Sequence, residues 1–183
     1  MIWLATAQPI EFQVCLYRQG SELPFLVEPI DGDSAQRIRI GKWAFVQLID
    51  LRIKEPLPVE VVLEYELRVE TPQGEMGLAD LMPHILYAGE RLPSFVVKAR
   101  LDNLLHGSCR KPHYPSDDAL ARVDELIDET RNEPKTRPAL LMMTGDQIYA
   151  DDVAGPMLVA THQTIRLLGA VPGKAERRAC RRQ

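Results

Sequence analysis

The sequence is poor in cysteine and in long apolar runs, and each shortage excludes a class of protein. Its cysteines are Cys15, Cys109 and Cys180, with no close pair and no Cys-x-x-Cys. Zinc-finger and thioredoxin-type sites therefore have no support, and the odd count favours reduced thiols. No uninterrupted apolar run reaches the roughly eighteen residues that a membrane-spanning helix needs. The sequence predicts no membrane span.

Positive charge is also scarce outside the last residues of the chain. The 183 residues carry a net charge of −4, and five of the 22 basic residues lie in the segment 171–183. Without that segment 17 basic and 25 acidic residues remain, a net charge of −8. Without its last residues the chain is strongly acidic, so we expect no nucleic-acid-binding surface. This charge suits cation binding. We expect 171–183 to be a disordered basic tail, with an anion-binding extension as the alternative.

The N-terminus lacks the features of a signal peptide. Residues 1–7 have no basic stretch and only a short apolar run. This predicts a cytoplasmic protein, but the chain begins in what looks like a strand. A truncated start would leave a secreted or periplasmic location open. Oligomeric state stays undetermined.

Residues 1–100 have the pattern of an all-β domain. Apolar and polar residues alternate over 11–17 and 61–69, while 43–49 and 94–100 read as further strands. Turn-forming clusters separate these segments, as at Asp31-Gly32-Asp33. Short strands at this spacing predict a small antiparallel β-sandwich. Its core would include Trp3, Trp43 and Phe45.

From residue 101 to about 170 the pattern changes to alternating strands and helices. We predict a strand over 101–106, an amphipathic helix over 117–131 with Ser116 as its N-cap, and a buried strand over 139–144. The two strands of this βαβ unit should be parallel, with a right-handed crossover. A further helix should run from Pro156 through Leu168, with Gly169 ending it.

Three potential anionic ligands follow the two predicted parallel strands. Cys109 follows the first strand, and Asp146 and Tyr149 follow the second. The carboxyl ends of such strands are where α/β proteins bind ligands. Gly145 permits a close turn that aims Asp146 at the same point. A carboxylate, a phenolate and a thiolate together suggest a trivalent or dinuclear metal site that could bind phosphate and activate water.

These residues carry a resemblance to a known family. Gly107-Ser108-Cys109-Arg110 with Gly145-Asp146-Gln147-Ile148-Tyr149 resembles the PhoD-like alkaline phosphatases, a branch of the calcineurin-like metallophosphoesterases. The resemblance implies α+β architecture, with an N-terminal immunoglobulin-like domain and the first βαβ unit of the catalytic domain. It also implies that Cys109, Asp146 and Tyr149 bind metal, with iron at the cysteine and tyrosine and calcium nearby.

The implied activity is metal-dependent hydrolysis of phosphomonoesters and phosphodiesters, with several members active outside the cytoplasm. The family's later Asn-His, His and Asp motifs do not occur in this sequence. We therefore expect a fragment that binds metal weakly and is weakly active or inactive. Divalent metals other than calcium are further candidates for the bound ion. The alternative is a non-enzymatic β-sandwich binding module with a degenerate phosphatase remnant.

Several neighbouring residues have weaker claims to a role. Asp146 would be catalytic by bridging metals, and Arg110 either holds a phosphate oxygen or is an ordinary surface arginine. His106 more simply forms a hydrogen bond in the core, and we assign His84 no role. The remaining candidates are Asp151 and Asp152, as outer ligands or helix-terminal acids, and His113, which could reach a phosphate.

Overall fold

A computed structural model of the protein describes residues 1–30, 34–111, 114–147, 149 and 153–170. The expected tail 171–183, His113, Asp151, Asp152 and the turn 31–33 lie outside the described residues. Within the described part the fold is α+β, with mostly antiparallel sheets, as expected. The strands are β1 (Ile2–Thr6), β2 (Phe12–Arg18), β3 (Leu26–Ile30), β4 (Ala35–Gly41), β5 (Ala44–Ile49), β6 (Val62–Thr71), β7 (Gly74–Met76), β8 (Ser94–Val96), β9 (Leu104–Gly107) and β10 (Leu140–Met143). The helices are α1 (Leu78–Leu81), α2 (Ala119–Thr130) and α3 (Gly155–Leu168), with a 3-10 turn at Pro83–Ile85.

Two antiparallel sheets in residues 1–100 share one apolar cluster. The first sheet has the order β1-β5-β4, and the second has β3-β2-β6-β7, with β8 also paired to β6. Phe12, Val14 and Leu16 of β2 are buried in the same cluster as Ile49 of β5. These three alternate along β2, so one face of the second sheet supplies most of the core.

The other face of the second sheet is covered in part: Gln13 on this face is exposed, whereas the two residues that follow it on the same face are not. Cys15 and Tyr17 are fully buried and pack with Leu92. The Tyr17 hydroxyl donates a 2.9 Å hydrogen bond to Glu66, and burial together with that bond raises the pKa of Tyr17 to about 12. A satisfied polar network allows these groups to be buried without a large desolvation cost.

The two tryptophans are not core residues, so that prediction was wrong. Trp3 is 65% exposed and Trp43 is 52% exposed. Ile2 and Leu4 pack against the core, so the alternation of β1 turns Trp3 to the opposite face. Trp43 lies in the β4–β5 turn, where its backbone N–H donates to the Leu168 carbonyl at 2.9 Å. Phe45 is half-buried.

Strands β9 and β10 are parallel and are connected through α2, as the sequence predicted. Leu105 lies opposite Leu141, and Gly107 lies opposite Met143. Helix α2 begins two residues later than expected, because Asp118 and not Ser116 is its N-cap. The Asp118 carboxylate accepts a 3.0 Å hydrogen bond from the backbone N–H of Leu120.

Strand β10 is not the buried strand that its apolar run suggested. Leu140, Leu141 and Met142 are 38%, 41% and 43% exposed. Parallel strands in most α/β proteins are covered on both faces. Here, in the described part of the chain, only one further strand and α2 accompany β10, so its apolar side chains keep much of their surface exposed.

Helix α3 begins at Gly155, one residue earlier than predicted, and ends as predicted. Proline is in its first turn, and Gly169 ends it in the left-handed conformation with φ of 57°. The helix ends against the β4–β5 turn, where Lys42 donates a 3.0 Å backbone hydrogen bond to Gly169. Among the described residues no helix combines the length and the apolar character that crossing a bilayer requires.

A polar seam joins the β-rich part to the elements after residue 100. Arg137 is buried and donates to the carbonyl of Ser94 at 2.6 Å and to its hydroxyl at 2.9 Å. Lys98 donates to the Pro134 carbonyl at 2.7 Å. These bonds hold the loop before β10 against β8, and thereby position the strand that leads into the candidate site.

Candidate metal-binding site

The backbone brings the two predicted motifs together at one edge of the parallel pair. Beyond the strands, Thr144 N–H donates to the Gly107 carbonyl at 3.1 Å, and Arg110 N–H donates to the Asp146 carbonyl at 2.9 Å. Tyr149 N–H then donates to the Arg110 carbonyl at 3.3 Å. Segments that are 37 residues apart in sequence therefore run side by side, as a βαβ connection predicts.

Gly145 is required for this close approach. A Cβ at this position would collide with the Ser108 hydroxyl and would lie 3.1 Å from the Cys109 sulfur. Glycine is the residue that leaves room for both side chains. This crowding agrees with the close turn that the sequence predicted at Gly145.

Cys109 has an exposed thiol on a strained backbone. Its φ is 55°, in the left-handed region that a residue with a side chain rarely adopts. The Ser108 hydroxyl lies 3.2 Å from the sulfur. Hydrogen bonds from Ser108 and Tyr149 lower the pKa of Cys109. Backbone strain at an exposed, activated thiol is typical of functional positions.

Tyr149 links the other two candidate ligands. Interaction with Cys109, and after it with Asp146, raises the pKa of the Tyr149 phenol. The spacing of three residues between Asp146 and Tyr149 would allow a helical turn to bring Tyr149 to the site. Instead residues 146, 147 and 149 are non-helical, and the hydrogen bond to Arg110 holds Tyr149 in place.

Arg110 is bound to Asp118. Its Nη2 and Nε atoms lie 2.5 Å and 3.1 Å from the same carboxylate oxygen of Asp118. The Arg110 guanidinium, followed by the Leu120 backbone amide, lowers the pKa of Asp118. Asp118 was not predicted from the sequence as a partner of the site. Its position in the predicted first turn of α2, near the strand end, was the available signal.

His106 has a different environment from the one expected. His106 Nε2 lies 2.6 Å from the Thr144 hydroxyl, so it is hydrogen-bonded as predicted. However, His106 is exposed and not in the core. His84 lies in the 3-10 turn of the β-rich part.

The donor set fits a metal in type but is small in number. One thiol, one carboxylate and one phenol converge, and all three can bind as anions to a ferric-like ion. No cluster of three or more His, Cys, Asp and Glu side chains able to hold a metal occurs in the described part of the chain. Ser108 is a further residue of the site, because its hydroxyl lies next to the Cys109 sulfur. The sequence did not single it out as a site residue, although it directly precedes Cys109.

The site opens into a cavity of about 540 Å³ between α2 and the parallel pair. Cys109, Arg110 and Tyr149 line one end of it, and Leu141 and Val123 line its wall. A scan of the sequence against protein-family models found no match. Searches of curated proteins and of solved structures found no similar protein either.

Proposed function

We propose that this chain belongs to a metal-dependent phosphoric-ester hydrolase of the PhoD-like type. Its two antiparallel sheets would be the immunoglobulin-like sandwich, and β9-α2-β10 would be the first βαβ unit of the catalytic domain. Phosphomonoesters or phosphodiesters would be the substrates. The single observation that supports this is the convergence of Cys109, Asp146 and Tyr149 at the carboxyl edge of two parallel strands.

Each residue has a distinct role in this proposal. Cys109 and Tyr149 would hold an iron ion, and Asp146 would serve both iron and a neighbouring calcium. Bound metal would supply positive charge to the phosphate and lower the pKa of a water molecule. Arg110 would exchange part of its bonding with Asp118 for a phosphate oxygen. Three protein ligands are fewer than a dinuclear site needs, so we expect weak metal binding by this chain.

The non-enzymatic alternative has one observation in its favour. Every buried hydrophobic side chain of the described residues belongs to the β-rich part, which could therefore be the working module. In that case β9, α2 and β10 would be a remnant without metal.

Metal analysis of the purified chain tests the proposal, with Cys109→Ala/Asp146→Ala as the comparison. We expect iron or calcium in the wild-type chain and its loss in the double variant. A Cys15→Ala variant controls for loss of a thiol elsewhere. Equal metal content in the wild type and the double variant, or metal in neither after reconstitution, would contradict the proposal.

A spectroscopic measurement separates the role of the phenol. Iron-loaded chain should show a visible tyrosinate-to-iron absorption band, and Tyr149→Phe should remove it. Tyr114 is a second tyrosine that lines the same cavity and has no assigned role as a ligand, so Tyr114→Phe should leave the band intact. A band that survives Tyr149→Phe would rule out Tyr149 as an iron ligand.

A further inference from the structure

Strand β1 is an open edge of the first antiparallel sheet. It pairs with β5 on one side, and no strand of the described residues pairs with it on the other. An edge strand of this kind presents unpaired backbone N–H and C=O groups that can bind a further strand. The group that this edge accepts is therefore a β-strand in an extended conformation.

β1 lacks the features by which the other edge strands of the two antiparallel sheets oppose pairing. Proteins protect sheet edges with charged residues, with proline or by keeping the edge strand short. β3 contains Glu28 and Pro29, and β4 contains Arg37 and Arg39. β7 and β8 have only three residues each. The five residues of β1 (Ile2–Thr6) include no charged residue and no proline, so this edge is the one most open to pairing.

The sheet face beside this edge is apolar and exposed. Ala5 of β1 and Ile38 of β4 both lie opposite Val46 of β5, so the three side chains share one face. The alternation of β1 places Trp3 on the same face, which is turned away from the core. Ile38 is 60% exposed and Trp3 is 65% exposed. A strand added beside β1 would cover part of this surface, because Trp3 would then have neighbours on both sides.

The sequence of β1 complements itself. When two copies of β1 pair antiparallel about a centre at Leu4, each of the five residues has a partner. Leu4 then lies opposite Leu4, Trp3 opposite Ala5, and Ile2 opposite Thr6. The large indole is beside a small methyl group, and no like charges meet. A centre at Trp3 would instead set two indoles against each other and leave Ala5 and Thr6 without partners.

We propose that β1 is a self-association site, at which two copies of this chain pair their β1 strands antiparallel. The two three-stranded sheets would then form one continuous sheet with a two-fold axis at Leu4. Five residues span only about 17 Å, so the two copies would bury roughly 1,000 Å² in total, near the lower limit of specific interfaces. We expect a dissociation constant of about 1–100 µM. The inference does not depend on the proposed function.

Sedimentation velocity of the full chain between about 1 and 200 µM tests the proposal, with Ala5→Glu and Gln36→Glu as matched variants. Both residues are exposed on the same face of the first sheet, but Ala5 is on β1 and Gln36 is on β4, at the opposite edge. Ala5→Glu brings two carboxylates to within about 8 Å of each other across the paired strands, so it should weaken the dimer about tenfold or more. Gln36→Glu should change the affinity less than about twofold. Circular dichroism verifies that both variants are folded.

A cysteine at the two-fold centre tests the register. In a Cys109→Ser/Cys180→Ser background, Leu4→Cys places two thiols on Cα atoms about 4.5–5.5 Å apart, which suits a disulfide. Two Thr6 residues would be about 13 Å apart in the same pair, too far for a disulfide. Under mild oxidation Leu4→Cys should therefore give a disulfide-linked dimer, and Thr6→Cys should give about tenfold less.

Four results would overturn the inference. The first is a chain that stays monomeric up to about 200 µM. Equal weakening by Ala5→Glu and Gln36→Glu would place the contact on the sheet face and not at the edge. A dimer that Ala5→Glu leaves unchanged would assign self-association to another part of the chain. Equal disulfide yields from Leu4→Cys and Thr6→Cys would exclude the antiparallel register. None of these results bears on metal binding, so the proposed function is tested separately.

Discussion

The β-rich part and the β9-α2-β10 part of this protein differ in how they are stabilised. All twelve buried hydrophobic side chains of the described residues lie between Phe12 and Leu92. After residue 100 the only buried side chain in the described part is the polar Arg137. Hydrophobic burial thus stabilises the first part, while the second depends on the polar seam through Arg137 and Lys98.

This contrast also separates structural roles from roles in the candidate site. The β-rich part buries Cys15 and Tyr17, and the Tyr17 hydroxyl is hydrogen-bonded to Glu66. The later part displays Cys109 and Tyr149 at an accessible strand end. The same residue types therefore serve packing in one part and are available for chemistry in the other.

Thiol reactivity should show the largest difference between the two parts. Cys109 is exposed and Cys15 is fully buried, so Cys15 reacts only when the sheet opens. In a Cys180→Ser background, we expect iodoacetamide to modify Cys109 faster than Cys15 by a factor of about 1,000 or more. Mass spectrometry of labelled peptides measures both rates, and Cys109→Ser isolates the slow one. Similar rates would show that the β-rich part opens easily.

Leucine-to-alanine substitutions should also distinguish the two parts, through a smaller difference in the free energy of unfolding. Leu63 is fully buried, so Leu63→Ala should lower the free energy of unfolding by about 2–5 kcal/mol. Leu141 is 41% exposed, and Leu141→Ala should change it by only about 0.5 kcal/mol. Urea titration followed by circular dichroism compares the two variants. Equal losses would mean that β10 is covered in solution.

Local patterning predicted the pairing of the strands better than the exposure of their side chains. The crossover from β9 to β10 and the end of α3 at Gly169 both followed from short-range signals. Trp3 was misplaced because hydrophobicity alone does not say which face of β1 meets the second sheet. The apolar run of β10 was misread because burial depends on how many elements surround a strand.

Part of the candidate site could also be predicted from short-range signals in the sequence. The order of Cys109, Gly145 and Asp146 on successive parallel strands is a local property combined with a simple connection rule. The Arg110–Asp118 ion pair and the left-handed φ of Cys109 depend on the path of the intervening loop, which periodicity does not describe.

Two glycine substitutions provide the finest comparison, between crowded and open positions of the later part. Gly145→Ala places a methyl group against Ser108 and Cys109, so the loops must separate and the backbone hydrogen bond from Arg110 to Asp146 should be lost. The Arg110 amide signal, which reports its hydrogen bond to Asp146, should shift strongly. Gly155 begins α3, and a Cβ added there would meet no atom within 4 Å, so Gly155→Ala should raise stability by up to about 0.5–1 kcal/mol.

The matched pair is informative because both changes add one methyl group to the same part of the chain. If Gly145→Ala lowers metal binding and shifts the Arg110 amide while Gly155→Ala does neither, close approach of the two loops is a requirement of the site. If the two variants behave alike, the loops tolerate separation, and Cys109 and Asp146 are ordinary turn residues. Because Gly145 lies outside the hydrophobic core, Leu63→Ala should remain the more destabilising change. If Gly145→Ala abolishes metal binding without unfolding the chain, the site residues belong to the later part, whereas the stability of the chain comes from the β-rich part.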